Sequence, residues 1–219
     1  PDADIDDMIP PLVKGGYYHA GQVCVSVQRV FVHESILGEV QSKMITAIEK
    51  ITTGDPLDPN TEAGPLILPK EVDRVEEWVN EAREAGGEIV CGGDRISETC
   101  YAPTLIVNPP ADVNVSQKEI FGPVVCLYSY KDKDEAIKQA NSLDYHFQAS
   151  VFTKNIDAAL EAVQKLNATA VMVNDHTAFR VDWMPFGGRD ASGLGIGSIP
   201  HSMEDMSREK MMVIKSSAI

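Results

Sequence analysis

The chain is organised around Gly21-Gln22-Val23-Cys24, which leads directly into Val25-Ser26-Val27-Gln28-Arg29-Val30-Phe31-Val32. The glycine ends a preceding helical segment, and the alternation of apolar and polar residues after Cys24 predicts a strand that ends at His33. The thiol of Cys24 is therefore placed at a junction between two elements. Catalytic side chains are often presented from such junctions.

Cys24 is a candidate nucleophile. A thiol is partly ionised at neutral pH and is intrinsically nucleophilic, so a cysteine held beside backbone N–H donors can attack a carbonyl carbon. The alternative is that Cys24 is a small buried hydrophobic residue, as most cysteines are. The turn alone leaves both interpretations open.

Composition indicates an ordinary soluble globular protein. The 219 residues are 43% apolar and 24% charged, which suits one large domain or two small ones. No apolar run approaches the roughly 20 residues that span a bilayer, and the first residues lack the features of a signal peptide. We therefore expect a cytoplasmic protein with no membrane partner. The net charge of −14 argues against nucleic-acid binding, which depends on concentrated Lys and Arg.

The cysteines are widely scattered, at Cys24, Cys91, Cys100 and Cys126. They form no CxxC pair, and no histidine lies at zinc-finger spacing. The sequence therefore predicts neither a disulfide framework nor a metal site. A reducing compartment also suits a reactive thiol.

Strands alternate with helices along most of the chain. Alternating or apolar runs predict strands at 25–33, 88–91, 104–107, 124–130, 149–153 and 169–173. Apolar stripes predict helices at 34–51, 72–82, 133–142 and 156–166. This order indicates a three-layer α/β domain, with a largely parallel twisted sheet and helices on both faces. Near the start, Pro10 and Pro11 predict that the first helix either begins near Pro10 or is kinked there.

Two later motifs occur in order after the cysteine turn and Arg29. They are Glu119-Ile120-Phe121-Gly122-Pro123-Val124 and Met184-Pro185-Phe186-Gly187-Gly188, the second followed by Ser192-Gly193. Together these stretches resemble the aldehyde dehydrogenase superfamily, and the resemblance covers nearly the whole chain. It implies a catalytic domain at residues 1–200, followed by a C-terminal helix and oligomerisation strand at 201–219.

The end of the chain, Glu209–Lys215, is rich in apolar residues and is predicted to be a protruding strand. In the resembled family this strand crosses to a partner subunit and extends its sheet, which implies a homodimer or homotetramer. The physical argument agrees, because an exposed apolar strand edge otherwise favours aggregation.

The resemblance also implies roles at the site. Cys24 would add to a small-molecule aldehyde to give a thiohemiacetal, hydride would leave to NAD or NADP, and water would hydrolyse the thioester. Glu119 would accept hydrogen bonds from the nicotinamide ribose hydroxyls. Phe121 would flank the nicotinamide ring.

Four further residues are predicted to bind substrate. Phe186, in the glycine-rich loop, would form a wall of the substrate tunnel. Asn174 follows the last predicted sheet strand, with loop anchoring as the alternative role. His176 and Arg180 are candidates for specificity, because a guanidinium facing the tunnel suits a substrate carboxylate or phosphonate. A small polar or anionic aldehyde is therefore expected.

The sequence departs from the family at several points. Val23 replaces an arginine that is frequent in members acting on phosphorylated trioses, and this disfavours such a substrate. The family's general-base glutamate, oxyanion asparagine and dinucleotide-binding fold would lie upstream of Pro1. The chain is therefore expected to be a fragment without full oxidative turnover. Whether water or coenzyme A accepts the acyl group stays open.

Two other functions stay open. A Gln-x-Cys turn also occurs in cysteine-dependent thiol hydrolases and esterases, which need a histidine base. The candidate bases would be His19, His33, His146, His176 and His201. A noncatalytic assembly module, acting through the terminal strand, is the other alternative.

Overall fold

The computed structural model describes residues 1–218, in which helices pack on a central four-stranded sheet. The helices are α1 (Ile5–Tyr17), α2 (Leu37–Ile48), α3 (Pro69–Glu84), α4 (Asn114–Gln117), α5 (Lys133–Ala140), α6 (Ile156–Lys165) and α7 (Ile199–Asp205), with a 3-10 turn at Tyr18–Gly21. The strands are β1 (Arg29–His33), β2 (Glu88–Cys91), β3 (Thr104–Val107), β4 (Val124–Tyr130), β5 (Tyr145–His146), β6 (Gln148–Val151), β7 (Ala170–Val173) and β8 (Arg189–Asp190). Within residues 1–218, no helix is both long enough and apolar enough to cross a membrane.

The central sheet has the strand order β1-β4-β3-β2. β1 and β3 flank β4 and run parallel to it, whereas β2 is antiparallel to β3. The connection from β2 to β3 contains no helix to carry the chain back across the sheet, so the two strands run in opposite directions. β6 and β7 form a separate parallel pair, and β5 and β8 form a short antiparallel pair. The strands are largely parallel, as predicted, but they are divided among three sheets.

The layers follow from the alternation of side chains along each strand. Val125 and Leu127 of β4 pack with α1 and α2, whereas Val124 and Cys126 pack with α3 on the opposite face. All four residues are at most 2% exposed, and each buried aliphatic side chain contributes about 1.5–3 kcal/mol. The predicted three-layer arrangement is confirmed.

Helix α1 begins at Ile5 and continues through Pro10 and Pro11. A start near Pro10, one of the two predicted possibilities, is therefore wrong. Met8 and Leu12, on either side of the proline pair, are only 6% and 4% exposed. Burial of this apolar face offsets the hydrogen bonds that the two prolines cannot donate.

Strand β1 is shorter than predicted, because residues 25–28 lie outside it. The amide of Val27 donates to Gly15 O at 3.0 Å, and Val25 O accepts from the Thr177 hydroxyl at 2.6 Å. These backbone groups bond to distant loops and helices instead of a neighbouring strand. Cys24 is consequently followed by a loop, which extends the junction predicted from the sequence.

The C-terminal prediction is only partly met. Helix α7 is present, but Glu209–Lys215 has no regular secondary structure, so the predicted strand is not formed. A strand requires a hydrogen-bonded neighbour, and within residues 1–218 this segment has no backbone hydrogen bond to another element. Its apolar side chains, including Met211 at 86% and Val213 at 82%, are exposed. Ile219 lies outside the described residues, and the division at residue 200 stays a prediction.

Candidate functional site

The turn before Cys24 has an unusual backbone. His19, Ala20 and Gly21 have φ values of 51°, 54° and 70°, and only glycine adopts this left-handed region readily. For His19 and Ala20 the conformation costs about 1–2 kcal/mol each. Such strain persists where surrounding contacts fix the backbone, and it concentrates at functional sites. The side chain of Cys24, presented just after this turn, is exposed.

Two side chains hold the cysteine loop in place. Gln22 donates from Nε2 to Pro65 O at 3.2 Å and accepts at Oε1 from the Ile67 amide at 2.9 Å. Thr177 donates from its hydroxyl to Val25 O, the carbonyl directly after the cysteine. The loop is therefore attached to two segments that are far apart in the chain, one near residue 66 and the other at Thr177.

The segment that contains Glu119 lies directly against the cysteine turn. A Cβ atom added to Gly21 would lie 2.1 Å from the carbonyl oxygen of Gly122, so no side chain fits between the two backbones. Phe121, the residue before Gly122, also has a positive φ of 45°, and it is 40% exposed. The aromatic ring is thus presented beside the cysteine turn.

Cys24, Glu119 and Phe121 line one small cavity of about 30 Å³. Partial burial raises the pKa of the Glu119 carboxyl. Burial is the only cause of this shift, as for a carboxylate that accepts no hydrogen bond within residues 1–218, and its two oxygens can accept a ligand's hydroxyl groups. The structure therefore brings together the candidate nucleophile and the two candidate cofactor residues.

A larger cleft of about 830 Å³ opens from the same place. Cys24 and Glu119 both line it, and its walls also include residues 25–33 and 145–153. Its volume lies in the range of small-molecule and cofactor sites. A ligand bound at this end of the cleft would lie next to Cys24.

Phe186 and Arg180 contact each other but line neither of these two cavities. The Arg180 guanidinium carbon lies 4.1 Å from the centre of the Phe186 ring. Phe186 in turn packs edge-on against Phe147, with ring centres 5.0 Å apart. Phe147 lines the large cleft, so the pair lies one side chain away from it.

Asn174 and His176 are engaged in local structure. The Asn174 amide accepts from Thr153 N at 2.9 Å and donates to Thr153 O at 3.0 Å, which supports the anchoring role. His176 accepts at Nδ1 from the Ala178 amide at 3.1 Å, and burial lowers its pKa. Both contacts shape the loop that carries Thr177. The geometry therefore favours a positioning role for these two residues over direct contact with substrate.

Sequence analysis did not single out two residues that hold the site together, Thr177 and Gln28. Gln28 occupies a polar position of the alternating run after Cys24, and a long amide at such a position is a weak signal for a cross-segment hydrogen bond. No motif marks Thr177, because its partner, Val25 O, is 152 residues away.

No histidine in the described part of the chain lines the small cavity with Cys24. His33 and His146 line the large cleft, where their Nδ1 atoms form hydrogen bonds with Ser35 and Asp190, each at 2.8 Å. Among the described residues, the small cavity therefore does not pair Cys24 with the histidine base that a thiol hydrolase requires.

Comparison with known proteins identifies the family. The sequence profile described as "Aldehyde dehydrogenase family" matches residues 1–212. The chain belongs to the aldehyde dehydrogenase family. This aldehyde dehydrogenase chain is 39% identical over 213 residues to 3-sulfolactaldehyde dehydrogenase of Priestia megaterium, covering 97% of the chain and 44% of that protein. It is 37% identical to lactaldehyde dehydrogenase of Methanococcus maripaludis, covering 97% and 45%. The chain thus spans less than half the length of these curated relatives.

Solved aldehyde dehydrogenase structures share the fold. Aldehyde dehydrogenase 21 from Physcomitrella patens, in complex with the reaction product succinate, matches with a TM-score of 0.89 and 38% identity over 92% of this chain and 42% of that one. Glyceraldehyde-3-phosphate dehydrogenase from Methanocaldococcus jannaschii, complexed with NADP, matches with a TM-score of 0.91 and 35% identity over 94% and 45%. Betaine aldehyde dehydrogenase from Staphylococcus aureus, in complex with NAD+, matches with a TM-score of 0.88 and 32% identity over 93% and 42%.

The contact between Gly21 and Gly122 can be tested by substitution. We expect Gly21→Ala to lower the free energy of unfolding by about 2–4 kcal/mol, because the methyl group meets a backbone carbonyl and the residue has a positive φ. Gly38→Ala is the matched control, since a Cβ there meets nothing within 4 Å. It should be neutral or stabilising by up to about 1 kcal/mol. Urea unfolding measures both, and equal stabilities for the two variants would contradict the close contact.

Proposed function

We propose that this aldehyde dehydrogenase chain provides the cysteine nucleophile and part of the NAD(P) site of an enzyme that oxidises an aldehyde to its carboxylic acid. The observation that carries the proposal is the position of Cys24, exposed in the same cavity as Glu119 and Phe121. The family relationship supplies the reaction class, and the cavity supplies its residues.

In this mechanism the Cys24 thiolate forms a bond from sulfur to the aldehyde carbon. The carbonyl π electrons move to oxygen, and the backbone N–H of Cys24 would donate a hydrogen bond to this oxyanion. When bound, NAD or NADP supplies the acceptor for the hydride that leaves the same carbon. The product of that loss is a thioester on Cys24, and water releases the acid and restores the thiol.

The chain's own residues also fit the cofactor. The Glu119 carboxylate, whose two oxygens are unengaged within residues 1–218 and whose pKa is raised by partial burial, gains hydrogen bonds when ribose hydroxyls reach it. Phe121 offers a 40% exposed ring for an aromatic cofactor ring to pack against. Both residues line one cavity with Cys24, so a cofactor that they hold would lie next to the carbon bound to the sulfur.

We also propose a domain division, a mode of self-association and a cellular compartment for the enzyme. We place the catalytic unit at residues 1–200 and assign 201–219 to self-association, because the apolar side chains of Glu209–Lys215 are exposed. Within residues 1–218, the backbone of this segment also has no hydrogen bond to another element. A homodimer or homotetramer would cover these side chains. An exposed thiol also suits the reducing cytoplasm.

The nucleophile is tested by substitution and alkylation. We expect Cys24→Ala to reduce NAD(P)-dependent aldehyde oxidation by at least about 10³-fold, since no other group replaces the sulfur. Cys91→Ala is the control, because Cys91 lies on β2 and lines neither cavity. In the unsubstituted protein, aldehyde should slow iodoacetamide labelling of Cys24, as measured by peptide mass spectrometry, and NAD(P) should alter that rate. Loss of ester hydrolysis in Cys24→Ala, with no dependence of labelling on aldehyde or NAD(P), would instead indicate a thiol hydrolase.

We further propose that the substrate is a small anionic aldehyde and that Arg180 binds its negative group. Arg180 is exposed and lies over the face of Phe186, which contacts the cleft residue Phe147. In a chain with a net charge of −14, an anionic ligand needs a local cation of this kind. The compounds named for two similar proteins are also anionic. One protein is named for 3-sulfolactaldehyde, and the other is complexed with succinate.

Arg180→Gln tests the substrate class. We expect it to raise the KM for an anionic aldehyde roughly 10- to 100-fold, the value of one charged hydrogen bond, and to change the KM for a neutral aldehyde of equal length by less than about twofold. Arg189→Gln, at a second exposed arginine in the same part of the chain, should leave both constants unchanged. Equal effects of Arg180→Gln on the two aldehydes would refute the role.

A further inference from the structure

Gln28 connects the nucleophile loop to the segment that carries Glu119. It lies four residues after Cys24, immediately before β1. Its side chain donates from Nε2 to Lys118 O at 2.7 Å and accepts at Oε1 from the Ile120 amide at 3.0 Å. One amide group therefore binds the backbone on both sides of Glu119.

The main chain of Gln28 is fixed as well. Its carbonyl accepts from the Cys126 amide at 2.8 Å, where β1 begins to pair with β4. A residue anchored to the sheet thus reaches across with its side chain to the loop that precedes the neighbouring strand. The side chain bonds to that loop as another peptide group would.

The backbone of Ile120 makes a second contact, through its carbonyl group. Arg74 of α3 donates to Ile120 O at 2.7 Å and to Glu71 at 2.9 Å, and its guanidinium lies 4.5 Å from the centre of the Trp78 ring. Arg74 therefore fixes the carbonyl of Ile120 against α3, whereas Gln28 fixes its N–H toward the cysteine loop. Together with the close approach of Gly21 and Gly122, the Gln28 contact connects the Glu119 segment to the loop that carries Cys24.

We propose that Gln28 is a positioning residue that sets the placement of the Glu119 carboxylate relative to the Cys24 sulfur. Gln28 lines the same cavity as Cys24 and Glu119, but its amide group is engaged by the backbone at Lys118 and Ile120, and it acts through these hydrogen bonds. Its effect on the cofactor rests on the function proposed above. The hydrogen-bond contact itself does not depend on that function.

The test uses Gln28→Met, which keeps the length of the side chain but removes the donor and the acceptor. Gln28→Glu keeps an acceptor for the Ile120 amide and loses the donor to Lys118 O. Gln41→Met on α2, outside both cavities, is the matched control. Thermal unfolding of all the variants shows whether each one folds.

The first readout is hydrogen exchange of the Ile120 amide, followed by NMR without cofactor. Gln28→Met should exchange at least about tenfold faster than the unsubstituted chain at this amide. Gln28→Glu should also exchange faster, by a smaller factor, because it loses the donor to Lys118 O, and Gln41→Met should retain protection. Unchanged exchange in Gln28→Met would overturn the proposal. If Gln28→Met does not fold, faster exchange of the Lys118–Ile120 segment in Gln28→Glu than in Gln41→Met supports the contact, and equal exchange overturns it.

The second readout separates positioning from general stability. We expect the NADP concentration that half-maximally alters iodoacetamide labelling of Cys24 to rise about tenfold in Gln28→Met, with the labelling rate without NADP unchanged within about twofold. A purely structural role would raise the labelling rate without NADP, and that result would overturn the proposal. If NADP has no effect on the unsubstituted protein, the proposed function fails, and the exchange experiment still decides the Gln28 contact.

Discussion

The backbone of Gly21 lies against the carbonyl of Gly122, and the candidate site depends on this contact. It follows from the sheet, because β1 and β4 are parallel neighbours and the segments that precede them meet at the same sheet edge. Cys24 lies in one of these segments and Glu119 in the other. A side chain at position 21 would separate them, and a glycine there lets both line one cavity. The hydrogen bonds of Gln28 to Lys118 and Ile120 then hold the Glu119 segment against the cysteine loop.

The sequence predicts the fold best where local periodicity and burial agree. The strands β2, β3 and β4 have the bounds that their apolar runs indicate, and α3 buries the stripe that defines it. β1 begins late because backbone groups at Val25 and Val27 bond to Thr177 and Gly15, contacts that alternation cannot reveal. The terminal segment has strand-forming residues but no partner within the described chain. Side-chain preference alone does not form a strand.

Some residues of the candidate site can be predicted from the sequence, and others cannot. The family resemblance predicts site roles for Cys24, Glu119 and Phe121, and all three line one cavity. Asn174 is predicted to bind substrate because it follows the carboxyl end of β7, whereas Cys24 and Glu119 precede β1 and β4. Its amide instead binds Thr153. Gln28 and Thr177 could not be identified in advance, since their partners lie 92 and 152 residues away.

A crystal structure of the protein with NADP bound tests the account most directly. The account predicts that the nicotinamide ring lies between the Cys24 sulfur and Phe121, with its ribose hydroxyls hydrogen-bonded to the Glu119 carboxylate. Gly21 and Gly122 should remain in contact. A cofactor bound elsewhere, or a Glu119 carboxylate directed away from the ribose while Cys24 stays in its loop, would contradict it.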